Sequence, residues 1–267
     1  MSVPGMAAPA IDVHPTAILS PEVELEAGVT VGPYAVLNGR IRVGAGTRIG
    51  PHALIEGDTA IGRACQIHGH AVLGTAPQDL KYRGEPTRLT VGDRCVVREF
   101  ATVNRGTVGG GGHTLLGNGV VVMASAHVAH DCTLHDGVIL ANQATLAGHV
   151  VLESHVIVGG MTGIHQFCHI GRHAFVGACS AVLQDVVPFI RVQGNRAKPF
   201  RLNTVGLRRH GFSRETLAAL HHAYRLLFNA GLNTSQAVDR IAAEVAPCPE
   251  VDHLVEFIKR SERGISK

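Results

Sequence analysis

The sequence predicts a mainly β fold: a parallel β-helix of hexapeptide repeats over residues 1–190, followed by a small α-helical domain over residues 191–267. Three observations carry this. Stepping by six from Val13 meets an aliphatic residue eleven times running, at Val13, Leu19, Leu25, Val31, Leu37, Val43, Ile49, Ile55, Ile61, Ile67 and Leu73. Glycine numbers 32 whereas aromatic residues make up 4% and Trp is absent, a balance suited to thin repeated layers filled by Val, Ile and Leu. From Ser213 onward the apolar spacing changes to three and four, the period of an amphipathic helix.

A period of six fits neither a helix nor a two-sided strand. It fits short strands on the flat sides of a prism, with the aliphatic residue pointing inward and Gly, Asn or Asp turning the corner. Three sides make a coil of 18 residues, and coils stack at roughly 4.8 Å, the spacing of neighbouring strands. Two residues before each later aliphatic position stand Ala17, Val23, Val29, Ala35, Ile41, Thr47, Ala53, Thr59, Cys65 and Ala71, all small or β-branched. Residues 75–88, which include Pro77 and Pro86, interrupt the series, and it resumes in phase at Val91, Val97 and Val103. An interruption that preserves the phase is a loop thrown out from a continuing solenoid. A second interruption at 104–114, rich in glycine, shifts the register by one; the series then runs from Leu116 to Val182 without exception. Cys65, Cys95, Cys132 and Cys168 share one repeat position with Ala, Thr and Val, and read as small buried residues of a reduced protein.

Beyond Arg191, Ser213 caps a helix carrying Leu217, Leu220, Tyr224 and Leu227 and stopped by Gly231. Ala237 to Val245 and Val251 to Ile258 form two further amphipathic runs. Eight basic residues (Arg191, Arg196, Lys198, Arg201, Arg208, Arg209, Arg214 and Arg225) face one acid, Glu215, in this stretch, which calls for an anionic partner. Over the whole chain Lys and Arg outnumber Asp and Glu by only 24 to 21, so net charge makes no case for nucleic acid. The start MSVPGMAAPA has no basic leader region, and no run approaches the roughly 18 apolar residues of a membrane span. A cytoplasmic protein is expected.

Chemistry concentrates in Ala126-His127-Val128-Ala129-His130-Asp131-Cys132. Residues 18 apart share a column, so Gly148 follows His130, and Asp131 is followed by His149. His127 and His165 occupy nearby columns. A His beside a carboxylate has its tautomer fixed and its basicity raised, as a general base for an alcohol requires. The same imidazoles could instead hold zinc with an open position, as in a solenoid anhydrase. A solenoid with no enzymatic role would leave this cluster without purpose. Among the chain's other histidines, His14, His52, His135 and His173 read as solvated corners.

The runs QDLKYRGEPTRL, NRGTVGGGG, AHVAHDC, LANQATLAGHV, GGMTGIHQFC, QGNRAKPF and GLRRHGFSRE together closely resemble the bacterial UDP-N-acetylglucosamine O-acyltransferase family. The likeness spans nearly the whole chain, in order. It implies a left-handed β-helix, a homotrimer, and the first step of lipid A synthesis: transfer of a (3R)-hydroxyacyl group from acyl carrier protein to the sugar 3-hydroxyl of UDP-N-acetylglucosamine. It also implies His130 as general base oriented by Asp131, and the Gly148 N–H as oxyanion donor. Asp79, Lys81, His127, His149, His165, Gln166, Asn203 and Arg209 become substrate contacts. Neither metal nor cofactor is implied, because a thioester is already activated. Another acyltransferase of this scaffold, N-acylating or acetyl-CoA-dependent, is the nearest rival; the N-acylating type carries an extra N-terminal uridine-binding domain, whereas here the repeat begins by Val13. Three departures stand out. Asn104 stands where the best-known members carry His, Val205 where they carry an acidic nucleotide contact, and Ala178 where many members have a second glycine past which the acyl tail runs, which predicts a shorter preferred acyl chain or a slackened ruler.

Overall fold

The computed structural model describes residues 10–267; the first nine, and with them most of the stretch read for a leader, lie outside the described residues. The chain forms two compact units, one ending at Gly137 and one beginning at Val138. Both carry β-solenoid coils with parallel strands.

In the first unit the strands are mostly two residues long and pair one coil on: Thr30 with Arg48, Val36 with Leu54, Arg48 with Gln66. The pairing bridges both interruptions, Asp58 meeting Arg88 and Val96 meeting Val121, so each loop leaves the stack and returns to it. Every predicted inward aliphatic from Val31 onward in this unit is buried, as are Ala35, Ile41, Ala53, Cys65 and Ala71. Val13 is 37% exposed because its coil is an end coil, paired through Val31 alone among the described residues.

Asp131 (φ 60°) turns a corner as expected, and larger residues take the same left-handed conformation at others, including His52 (φ 58°), His70 (φ 61°) and Phe100 (φ 60°). Such a φ costs about 1–2 kcal/mol outside glycine. Two contacts offset it. The corner N–H donates to a carbonyl of the preceding coil (His52 to Pro33 at 3.0 Å, His70 to Pro51 at 3.2 Å). The rings then stack in a ladder, Tyr34 on His52 at 5.1 Å, His52 on His70 at 4.9 Å and His70 on Phe100 at 5.1 Å.

In the second unit Ile139 pairs with Ile157, Thr145 with Gly163 and Val151 with His169. Its predicted inward residues Leu140, Leu146, Leu152, Val158, Ile164, Ile170, Val176 and Val182 are buried. An antiparallel hairpin, Ile190–Gln193 with Lys198–Leu202, follows on the same sheet. Four helices complete the unit: α1 (Thr204–Arg209), α2 (Arg214–Phe228), α3 (Thr234–Glu244) and α4 (Pro249–Arg260). The Ser213 hydroxyl accepts the Thr216 N–H at 3.1 Å, capping α2. Asn233 and Gln236 form a reciprocal capping box at α3. The hairpin, α1 and the chain's return after α4 carry no amphipathic period and escaped sequence reasoning. On that return Ile265 pairs in parallel with Asp185, whose N–H donates to Gly264 O at 3.0 Å and whose carbonyl accepts the Ser266 N–H at 2.8 Å. The tail thereby covers part of an otherwise open sheet edge.

His173 is no solvated corner. Its half-buried ring lies 4.9 Å from His155, 4.7 Å from His210 and 5.1 Å from Phe212. Burial above all, then the charges of His155, His210 and Arg172, pushes its pKa down to about 4. No helix among the described residues is long and apolar enough to cross a membrane.

Candidate active site

The strand His127–Val128 sends Val128 into the core and His127 outward, and the chain reaches the corner at Asp131 three residues later. The left-handed turn there folds the carboxylate back along its own chain. The His130 Nδ1 and Asp131 Oδ2 lie 2.8 Å apart. The Asp131 side chain is 1% exposed and that of His130 15%. Burying a carboxylate costs several kcal/mol unless it is hydrogen-bonded. Here the Thr107 N–H donates to Oδ1 at 2.8 Å and the Thr107 hydroxyl to Oδ2 at 2.6 Å. The Asp131 N–H in turn donates to the Thr114 hydroxyl at 2.8 Å. Thr107 was absent from the sequence-based site: it belongs to the glycine-rich loop, where the column rule of 18 does not reach.

His127 shares a hydrogen bond of 2.7 Å with the Thr102 hydroxyl. Burial first, and the charge of His130 second, lowers its pKa, so it is neutral at pH 7 and offers a nitrogen as acceptor or donor. Asp79 and Lys81 lie on the first loop. The Lys81 N–H donates to Asp79 Oδ1 at 2.9 Å, a turn that leaves the Lys81 ammonium exposed. Arg105 holds this loop from below: its Nη1 donates to Gly74 O at 2.7 Å, and Nε and Nη2 donate to the Tyr82 hydroxyl at 3.2 and 3.1 Å. Asn104, 2% exposed, donates through Nδ2 to Thr75 Oγ1 at 3.0 Å and to Ala76 O at 3.1 Å. Asn104 therefore ties down the base of the loop.

In the second unit Gly148 is buried and its carbonyl accepts the Phe167 N–H at 3.1 Å. The His149 ring stacks on Phe167 at 4.4 Å. His165 and Gln166 are exposed, with His165 Nδ1 3.1 Å from the Gln166 carbonyl. Asn203 is buried, its Nδ2 donating to His173 O at 2.9 Å, and it heads α1, whose last turn carries the exposed Arg209. Val205 is 56% exposed and supplies no charge on that helix. Ala178 is exposed and follows Gly177; a Cβ added to Gly159 would collide with its backbone.

Residues 113–148 match the bacterial transferase hexapeptide family (six repeats), and residues 185–266 match the family described as UDP N-acetylglucosamine O-acyltransferase, domain 2. A relative from Alkalilimnicola ehrlichii, named acyl-[acyl-carrier-protein]--UDP-N-acetylglucosamine O-acyltransferase, is 54% identical over 253 residues, 95% of this chain and 98% of its own. One of the same name from Anaeromyxobacter dehalogenans is 48% identical over 194 residues, 73% of this chain and 76% of its own. Among solved structures, UDP-N-acetylglucosamine O-acyltransferase from Moraxella catarrhalis superposes with a TM-score of 0.92 at 39% identity, covering 96% of this chain and 99% of that one. The Campylobacter jejuni UDP-N-acetylglucosamine acyltransferase gives 0.90 at 36%, with the same coverage. Identity of this extent across solenoid, loops and helices means that the chain belongs to the UDP-N-acetylglucosamine O-acyltransferase family.

Proposed function

We propose that this protein transfers a (3R)-hydroxyacyl group from acyl carrier protein to the 3-hydroxyl of UDP-N-acetylglucosamine, the first step of lipid A synthesis, in the cytoplasm. Family membership supports the reaction, and the buried Thr107–Asp131–His130 chain supports its mechanism. With Asp131 engaging Nδ1, the other ring nitrogen of His130 is the basic one. That Nε2 takes the sugar hydroxyl proton as the oxygen attacks the thioester carbonyl. The negative oxygen of the tetrahedral intermediate takes a hydrogen bond from the Gly148 N–H, which follows His130 by one coil in the sequence. Collapse breaks the carbon–sulfur bond, and the His130 imidazolium returns its proton to the departing thiolate. A base of this kind contributes about 10²- to 10⁴-fold in rate.

Asp79, Lys81, His127, His149, His165 and Gln166 are the proposed sugar-nucleotide contacts. Asn203 serves the nucleotide and Arg209 the diphosphate, where a planar guanidinium offers two parallel donors. Ala178 is the proposed limit on acyl length. The homotrimer is part of the proposal: Leu80, between Asp79 and Lys81, is 96% exposed, an apolar loop tip suited to cover by a neighbouring subunit. The deciding experiment is a transfer assay with UDP-N-acetylglucosamine and a panel of hydroxyacyl carrier proteins. His130→Ala is expected to lose nearly all turnover while retaining nucleotide binding; wild-type turnover in that variant would overturn the mechanism.

A further inference from the structure

We infer that Thr107 is a positioning residue for the transfer reaction, holding the Asp131 carboxylate in the one orientation that fixes the His130 ring. The inference rests on the general-base reading above. A carboxylate at the end of a single χ2 torsion turns easily, and His130 engages only one of its oxygens, Oδ2. Thr107 pins both. Its N–H occupies Oδ1 at 2.8 Å and its hydroxyl occupies Oδ2 at 2.6 Å, so rotation of the carboxylate breaks two hydrogen bonds at once.

The donor is itself fixed. Thr107 is 8% exposed and heads the 3-10 turn Val108–Gly110. Its hydroxyl oxygen accepts the Gly110 N–H at 3.2 Å, and its carbonyl accepts the Gly112 N–H at 2.7 Å. A hydroxyl has one proton; with Gly110 donating to the oxygen and a carboxylate only able to accept, that proton points at Asp131. The glycines around Thr107 gain a purpose too. A Cβ at Gly106 or Gly110 would run into the Asp131 carboxylate, so the loop closes down on it only because these side chains are missing. Thr107 touches neither substrate nor reacting atom, and acts through Asp131.

The test compares Thr107→Val, which keeps the shape and removes the hydroxyl, with Thr107→Ser, which keeps both donors. In Thr107→Val we expect kcat to fall about 10- to 100-fold, as for a base displaced by a fraction of an ångström, with the KM for UDP-N-acetylglucosamine unchanged. With one donor gone from Oδ2 and the carboxylate free to turn, the charge facing His130 changes, so the acid limb of the kcat profile and the NMR titration of the His130 imidazole both shift from their wild-type positions. Thr107→Ser should restore rate and profile. A Thr107→Val enzyme with wild-type kcat and pH profile overturns the inference, and so does a loss of kcat with thermal destabilisation but an unmoved acid limb and titration, the mark of a merely structural residue. If the wild-type protein transfers no acyl group, the reading of its function fails, while the His130 titration still decides the role of Thr107.

Discussion

At the scale of single residues, the dyad was legible because its members adjoin: His130 and Asp131 need only a corner to meet, and the repeat says where corners fall. Thr107 was not legible. It lies 24 residues from Asp131, across a loop whose insertion spoils the arithmetic of stacking, and only folded geometry reveals the contact. Asp131→Asn tests the dyad directly. An amide can offer Nδ1 a donor as well as an acceptor, so the ring loses its fixed tautomer, and kcat is expected to fall about 10²- to 10⁴-fold with little change in the KM for the sugar nucleotide. Steady-state kinetics read this, and an Asp131→Asn enzyme of wild-type rate would remove Asp131 from the mechanism. Ala178 makes a second case, because its methyl stands on an exposed solenoid position beside Gly177. Competition among carrier proteins bearing different acyl lengths should show Ala178→Gly accepting longer chains than the wild type; identical profiles would dismiss the methyl as a ruler.

At the scale of elements, what the sequence revealed was whatever repeats. The inward aliphatics and helices α2 to α4 followed from period alone, and the Ser213 cap was read correctly. What it hid was contact between unlike segments: the Arg105–Tyr82 tie, the tail on Asp185, and the ring cluster of His155, His173 and His210. Tyr82→Phe keeps the ring and removes the hydroxyl that accepts from Arg105 and donates to the Glu85 carbonyl at 2.8 Å. A hydrogen bond worth about 1 kcal/mol corresponds to roughly fivefold in an equilibrium. We therefore expect the KM for UDP-N-acetylglucosamine to rise about fivefold, kcat to hold, and trypsin to cut faster at Lys81 and Arg83. The histidine cluster predicts a pH effect of definite sign. The folded pKa of His173, about 4, lies below the ordinary value near 6.5, so folding favours its neutral form. Its contribution is complete above pH 6.5 and is lost as pH falls from there toward 4. With about half the ring open to water, solvent screening leaves roughly 1 kcal/mol. Thermal melts should show Tm dropping across that window in the wild type and less so in His173→Phe, which keeps the stacking without the titration.

At the scale of the whole molecule, the family was legible from ordered motifs, whereas the partners follow from charge and assembly. Among the described residues none of the eight basic side chains between Arg191 and Arg225 forms a salt bridge. Arg191 and Arg201 spend their charge on the faces of Phe175 and Phe200, and Arg196, Lys198, Arg208, Arg209, Arg214 and Arg225 are exposed. So many unpaired cations on one stretch repel one another, a cost relieved when an acidic protein covers them. Under the proposed function only Arg209 of these cations meets a small substrate. Arg214→Glu combined with Arg225→Glu should therefore raise the KM for the acyl carrier protein and make it rise less steeply with salt than in the wild type, because two cations that attract an acidic partner have been reversed. The same double variant should handle an acyl-pantetheine thioester, which lacks the acidic protein, at the wild-type rate. Equal KM values for the carrier protein in the two enzymes would detach the basic stretch from carrier recognition and leave it a solvated face.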